Sequence, residues 1–360
     1  MKKELIKPRT VLIVCFRYIG DVVVSTPLAL SIKSAFPDAA VDYLVFAGTE
    51  KAIIKNPHIN KIITVPKDKK NISTLWRLFR RYDMAFAAVP SDRSVIAAAV
   101  AGRYSFGLAY RGHKELLRRL LLSQYAYIDD RHHIVTTMRD LVQMMCIPFI
   151  PQVTIGFDED DVASGRKLLP EGRYIVMHPY SMKECKYWPI SNWASICRLI
   201  LERTDCIPVF TVTPSRSDVA YLDAIIALSP PEVLTFPCSL TQFAAVLERS
   251  AAYIGIDTAA THIAAAAGVP TVAIYGPSLT SYWAPWPNGY EDASPFNAER
   301  GLQSVAHVTV VQKGWDCVPC NRESCTITER NRMECLEQLS AEEVFEALLI
   351  SMVKGKADRQ

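Results

Sequence analysis

No run of about 18 uncharged apolar residues occurs in this chain, so no segment is suited to cross a bilayer as a helix. Its most apolar region, Ala251 to Tyr275, is interrupted by Asp257 and His262. No export signal is visible: MKKELIKPRT is basic, but the apolar run after it, Val11 to Phe16, is short and meets Arg17 where a small-residue cleavage site would be needed. The chain also lacks the G-x-G-x-x-G of a dinucleotide fold and the G-x-x-x-x-G-K-[ST] of a P-loop, so neither NAD nor P-loop ATP chemistry is supported. Excess charge is missing too. A formal net charge of +3 is too small to indicate a nucleic-acid partner.

What remains is bulk and pattern. The 360 residues suit two cores of ordinary size, and 50% hydrophobic with 21% charged residues is the balance of a well-packed globular protein. Ten cysteines with no export signal read as reduced thiols of a cytoplasmic chain.

Short apolar runs alternate with amphipathic ones. Val11–Phe16, Val41–Phe46, Lys61–Val65, Met84–Val89 and Tyr104–Gly107 read as strands; helices are expected over Thr26–Ala35, Asn71–Arg81 and from Asp92, with a short one near Glu50–Lys55. Thr26 is the expected N-cap of its helix, with Pro27 in the first turn. Between Ile147 and Pro170 the pattern loosens into an interdomain connection. It then restarts with strands Tyr174–Met177, Ile207–Thr211, Val233–Phe236, Ala252–Ile256 and Thr271–Tyr275. Helices are expected over Asn192–Arg203, Ser217–Leu228, Leu240–Glu248, His262–Ala267 and Ala341–Val353. The fold class is therefore α/β, with two Rossmann-like domains, 1–165 and 166–360, facing a central cleft. Ligands are expected at the carboxyl ends of the strands.

Three loops at such ends carry polar chemistry. In RYIGDVVVSTP, Gly20 permits a tight turn and Asp21 is placed either as a general base or as a cap of backbone N–H groups. In MHPYSMKECKYWP, Ser181 and Lys186 are suited to a diphosphate, although Lys186 also fits an ordinary surface lysine; Trp188 and Trp193 read as packing residues. In IGIDTAATHIAAAAGVP, a strand ends at Asp257 and a small-residue helix follows. Its free N–H groups and dipole favour phosphate. His262 alone fits a satisfied core histidine, but Asp257, Thr258 and His262 together inside an apolar unit ask for polar partners. Tyr275–Ser278 forms another loop on the same rim.

At these residues the sequence resembles glycosyltransferase family 9, the ADP-heptose:lipopolysaccharide heptosyltransferases. RYIGDVVVSTPLALSIKSAFPDAAVDYLV is similar to the family's opening GD…TP segment, and HPYSMKECKYWP to its HP…K-x-W-P loop. IDTAATHIAAAAGVPTVAIYGPS is similar to its D-[ST]-x-x-x-H signature, and CVPCNRESC…CL has counterparts in many members. The resemblance implies a GT-B fold and an inverting, metal-independent transfer of heptose from ADP-L-glycero-D-manno-heptose to the lipopolysaccharide inner core. It implies Asp21 as base, with Arg17 and Gly20 in the acceptor loop. Lys186 would meet diphosphate and sugar, Asp257 the heptose, Thr258, Ala259 and His262 the phosphates, and Ser181 and Met182 the nucleotide. Two departures stand out: Ala259 where many members have Gly, and Arg216, with Asp218 nearby, where an acidic ribose contact is usual.

Cys317, Cys320, Cys325 and Cys335, spaced C-x2-C-x4-C-x9-C, admit a structural zinc, with packed or redox-labile thiols the competing reading. The basic run Arg111–Leu120, with Arg131–His133, is a solvated face or a contact for an anionic glycolipid or the inner membrane surface, on which the enzyme would be peripheral. Rival readings share parts of this pattern: a GT-B-like transferase using another nucleotide sugar or glycan acceptor, a nucleotide-sugar epimerase, and a zinc-stabilised nucleic-acid-binding module.

Overall fold

A computed structural model describes residues 7–68, 71–112, 115–129, 131–327 and 332–357. Residues 1–6 of the basic N-terminus and His113 and Lys114 of the basic run lie outside these. The chain divides into two compact units, Met1–Gly156 and Phe157–Gln360.

In the first unit, six strands form one parallel sheet: β1 (Thr10–Cys15), β2 (Ala40–Phe46), β3 (Lys61–Val65), β4 (Tyr82–Ala87), β5 (Gly102–Ala109) and β6 (Gln124–Tyr127). Their order is β3-β2-β1-β4-β5-β6. Side chains alternate across β1, so Val11, Ile13 and Cys15 join one buried layer while Leu12 and Val14 join the other. Burial on both faces explains why these strands read as continuous apolar runs. Strand order reverses between β1 and β4, and a crevice at their carboxyl ends is the favoured ligand position in such sheets.

The second unit holds β7 (Tyr174–His178), β8 (Ile207–Val212), β9 (Leu234–Pro237), β10 (Ala252–Ile256), β11 (Thr271–Ile274), β12 (Gln303–Val305) and β13 (Val308–Val311). They run β12-β13-β11-β10-β7-β8-β9, all parallel except β12. The reversal here lies between β10 and β7. Trp188 and Trp193 are fully buried on one side of this sheet, edge to face with ring centroids 5.0 Å apart, and the Trp188 indole donates to the Leu339 carbonyl at 2.8 Å. They are packing residues.

Several local expectations change. A helix, Ile19–Val24, precedes the expected Thr26–Ala35 helix, so RYIGDVVV is helical where a loop reads from sequence. Gly20 lies inside that helix and makes no turn. Ser25 occupies the N-cap of the following helix; the Thr26 hydroxyl instead donates to the Val23 carbonyl at 2.8 Å and accepts from the Thr154 N–H at 2.9 Å. The acidic DEDD run is a helix start, Glu159–Leu168, in the second unit: Asp158 caps the Asp161 N–H, and Asp161 returns the bond to Asp158 and accepts from Thr241 at 2.9 Å. Strand β6, the Thr137–Gln143 helix and the β12–β13 hairpin carry weak periodicity and were not expected from sequence.

Candidate active site

In the second unit, polar chemistry gathers at the strand-order reversal. Strand β10 leads through Gly255 and Ile256 into Asp257, and the helix Ala259–Ala266 begins two residues later, directly after the strand as the sequence leads one to expect. A Cβ at Gly255 would lie 2.1 Å from the Tyr253 hydroxyl, so glycine lets that phenol fold back along the strand. From there it reaches Thr261 at 3.1 Å, and the Thr261 hydroxyl donates to the Ile256 carbonyl at 2.5 Å. These bonds fix the helix start against the strand end. Thr258 occupies the N-cap without a side-chain cap, and Thr258 and Ala259 are only half-buried. Alanine at 259 therefore keeps the helix backbone approachable, and its amides and dipole attract anions.

Asp257 is buried, and its Oδ2 is held from two sides. Lys186 Nζ, delivered by the single turn Glu184–Lys186 after β7, stands 2.5 Å away, and the Ser278 hydroxyl donates at 2.5 Å. Burial, reinforced by the Asp257 charge, keeps the Tyr275 phenol protonated far above its ordinary range. His262 is buried one turn into the helix. Its Nδ1 has no hydrogen-bond partner, and burial lowers its pKa to about 4, with Asp257 opposing the shift and Lys186 adding to it. At neutral pH it is an uncharged imidazole beside a Lys–Asp pair and a helix N-terminus. An unsatisfied buried nitrogen is costly unless something arrives to meet it. On the same rim His178 Nδ1 lies 2.8 Å from the Thr211 hydroxyl, and burial lowers its pKa to about 4.

The remaining predicted positions divide. Ser181 accepts from the Lys183 N–H at 3.3 Å, while Met182 is 83% exposed and touches little. Arg216 begins the helix after β8; Asp218, in its first turn, accepts from Thr213 at 2.7 Å and from Tyr187 at 3.4 Å. Thus a carboxylate does stand on this rim.

In the first unit, Asp21 lies at the carboxyl end of β1, beside that sheet's own reversal, in the first turn of the Ile19–Val24 helix. Its side chain is 10% exposed, and Arg17 Nε is 3.4 Å away. Burial raises its pKa, against the opposing pull of Arg17. Its carboxylate therefore holds a proton more tightly than an exposed one does.

The cysteine-bearing segment does something that spacing alone did not reveal. Between Cys320 and Cys325, Asn321 donates its N–H to the Pro277 carbonyl at 2.7 Å and accepts from the Leu279 N–H at 3.0 Å. Glu323 pairs with Lys183 at 2.6 Å. The Gln312 amide donates to the Gly276 and Ser278 carbonyls at 2.7 and 2.9 Å, and a Cβ at Gly276 would meet Leu336 at 2.7 Å. The segment therefore braces both the Ser278 loop and the Lys186 loop. Its irregular sequence has no periodicity from which such contacts are readable. Burial first, then the neighbouring Cys320, Cys325 and Cys317 thiolates, push the Cys335 thiol up to about 12. Among the described residues no group of three or more His, Cys, Asp or Glu side chains is arranged to hold a metal ion.

A family model described as glycosyltransferase family 9 (heptosyltransferase) matches residues 75–302, more than half of the chain. The chain belongs to glycosyltransferase family 9. It is a glycosyltransferase, and the matched stretch contains Lys186, Asp257, His262 and Ser278. Lipopolysaccharide heptosyltransferase 3 of Escherichia coli K12 is 24% identical over 287 residues, 75% of this chain and 83% of its own. Lipopolysaccharide heptosyltransferase 1 of Pseudomonas aeruginosa is 24% identical over 341 residues, 89% of each. The fold is that of solved family members. The family 9 glycosyl transferase of Veillonella parvula aligns with a TM-score of 0.76 at 18% identity, covering 96% of this chain and 97% of its own. E. coli ADP-heptose lipopolysaccharide heptosyltransferase II gives 0.73 at 19%, covering 96% and 99%. This family 9 chain is thus a GT-B protein of two Rossmann-like units.

Proposed function

We propose that this family 9 glycosyltransferase moves heptose from ADP-L-glycero-D-manno-heptose to the lipopolysaccharide inner core, inverting the anomeric centre without a catalytic metal. The observation that carries the reading is the Lys186–Asp257 pair set against an uncapped helix start, with the partnerless His262 nitrogen beside it. One of the three Lys186 protons faces Asp257, which leaves two for a diphosphate. Neutral His262, as its Nδ1–H tautomer, donates to a phosphate oxygen. Asp257 accepts from sugar hydroxyls, and Asp218 is the ribose partner on the β8 rim. The first unit takes the acceptor, and the second takes the donor.

In the reaction the acceptor oxygen attacks the anomeric carbon as the bond to the diphosphate oxygen breaks. That bond's electron pair leaves with ADP, and Asp21 takes the acceptor's proton. The sugar passes through an oxocarbenium-like state. Lys186 and the amides at Thr258 and Ala259 stabilise the charge growing on the leaving group. The relatives named above as lipopolysaccharide heptosyltransferases support the choice of sugar and acceptor. Such an acceptor makes the enzyme a cytoplasmic one working on the inner face of the inner membrane, with no nucleic-acid partner.

The test is a panel of ADP- and UDP-sugars offered with truncated lipopolysaccharide acceptors, with and without EDTA. Transfer from ADP-heptose alone, undiminished by chelation, is expected. Preference for a UDP-sugar, donor turnover without acceptor, or loss of activity in EDTA overturns the corresponding part.

A further inference from the structure

The first unit carries an unpartnered surface that the donor chemistry does not use. Three helices, Ile72–Leu78, Asp92–Ala101 and Glu115–Leu121, lie side by side over one face of the sheet. They bury Leu75, Leu78, Val95, Ala98 and Leu121 against Leu12, Val14 and Leu44. With those residues turned inward, the outer surface of the layer should be polar. It is not. Ile72, Trp76 and Phe79, spaced i, i+4, i+7, are 67%, 77% and 56% exposed, and the Trp76 and Phe79 rings stack at 6.0 Å. Leu116 and Leu120, one turn apart on the third helix, are 67% and 74% exposed, and Ile96 between them and the first stripe is also exposed.

Positive charge is in excess on the layer. Arg77, Arg81 and Arg119 are exposed beside the apolar stripes. The acidic residues of the three helices are engaged: Asp92 pairs with buried Arg118 at 2.9 Å, and Glu115 accepts from the Tyr127 hydroxyl. Bulky apolar side chains interleaved with outward arginines are the composition of a surface that lies in the headgroup region of an anionic bilayer, rings in the acyl boundary and guanidinium groups among the phosphates. A second copy of this chain fits less well, because a like face would bring arginine against arginine.

We propose that this three-helix layer is a docking surface for an anionic lipid bilayer, with Trp76 and Phe79 as its inserted anchors and Leu116 and Leu120 as a second contact. The inference does not depend on which sugar is transferred.

Co-sedimentation of the full chain with vesicles tests it, using either phosphatidylcholine alone or two parts phosphatidylcholine to one part phosphatidylglycerol. The chain is expected to partition to the phosphatidylglycerol vesicles about tenfold better, and to lose that preference at high salt. The pair Trp76→Ser with Phe79→Ser is expected to weaken binding by about tenfold or more while leaving melting temperature and turnover of a soluble truncated acceptor unchanged. Leu116→Ser with Leu120→Ser weakens binding independently. Equal binding by Trp76→Ser/Phe79→Ser and the native chain overturns the proposal, as does indifference to phosphatidylglycerol. Sedimentation velocity supplies the remaining outcome: a native dimer that these substitutions make monomeric, with no change on vesicles, assigns the surface to a second copy instead.

Discussion

Asp21 is a carboxylate kept nearly out of water with one guanidinium 3.4 Å away, and its raised pKa has two consequences of opposite sign. As the proposed base it gains proton affinity. As a folded-state group it favours the native chain only while protonated, because the native chain holds its proton more tightly than the unfolded chain does. That favourable contribution is complete below the ordinary value of about 3.9 and disappears as pH rises through the shifted one. Asp21→Asn is therefore expected to abolish transfer while raising the melting temperature at neutral pH, and the gain should vanish on acidification. Native kcat/KM should fall on the acid side at a pH above the usual carboxylate range. Turnover by the Asn variant, or an unchanged melting temperature, contradicts this assignment. The residues around Asp257 were legible for a different reason. Asp, Thr and His inside an alanine-rich apolar unit conflict with burial, and such conflict points to a site. The Ser278 bond to Asp257 was not legible, since only the strand-end position of YGPS was readable, not which hydroxyl turns inward.

At the scale of elements, strands buried on both faces announced themselves as apolar runs, and Leu240–Glu248 and Ala252–Ile256 fall where the sequence puts them. Elements without a clear apolar pattern did not. The Ile19–Val24 helix hides behind a glycine and three valines, a composition with low helix propensity, and tertiary packing of Val22, Val23 and Val24 overrides it. The brace formed by the cysteine segment was equally invisible, because its effect rests on single bonds. Asn321 holds a left-handed backbone, φ 53°, which asparagine adopts at lower cost than alanine. Asn321→Gly keeps the backbone and removes the bond to Leu279, so the donor KM should rise about fivefold, the equivalent of one hydrogen bond near 1 kcal/mol, with kcat less affected. Asn321→Ala should do the same and also lower the melting temperature. Unchanged donor KM in both variants rules out the bracing role.

For the whole molecule, acid sensitivity should be strongest in the second unit, although burial and then Lys33 also lower the pKa of His58 in the first. His178 and His262 are both depressed to about 4 by burial. Unfolded imidazoles take protons near pH 6.5 while these resist, so their contribution to stability is present above about 6.5 and is lost progressively as pH falls towards about 4. Melting followed from pH 7.5 downward should show the second unit weakening in this window, ahead of carboxylate protonation. His262→Gln should reduce the slope; an unaltered slope argues against a neutral native imidazole.

The brace over the donor loops has one more implication. Asn321 and Glu323 bond to the loops that carry Ser278 and Lys186, so under the proposed donor reading order in the segment and occupancy of the site are coupled. Such coupling runs equally in both directions. Under that reading, a chemical event at the thiols that loosens the segment weakens the donor by the same factor by which bound donor protects those thiols.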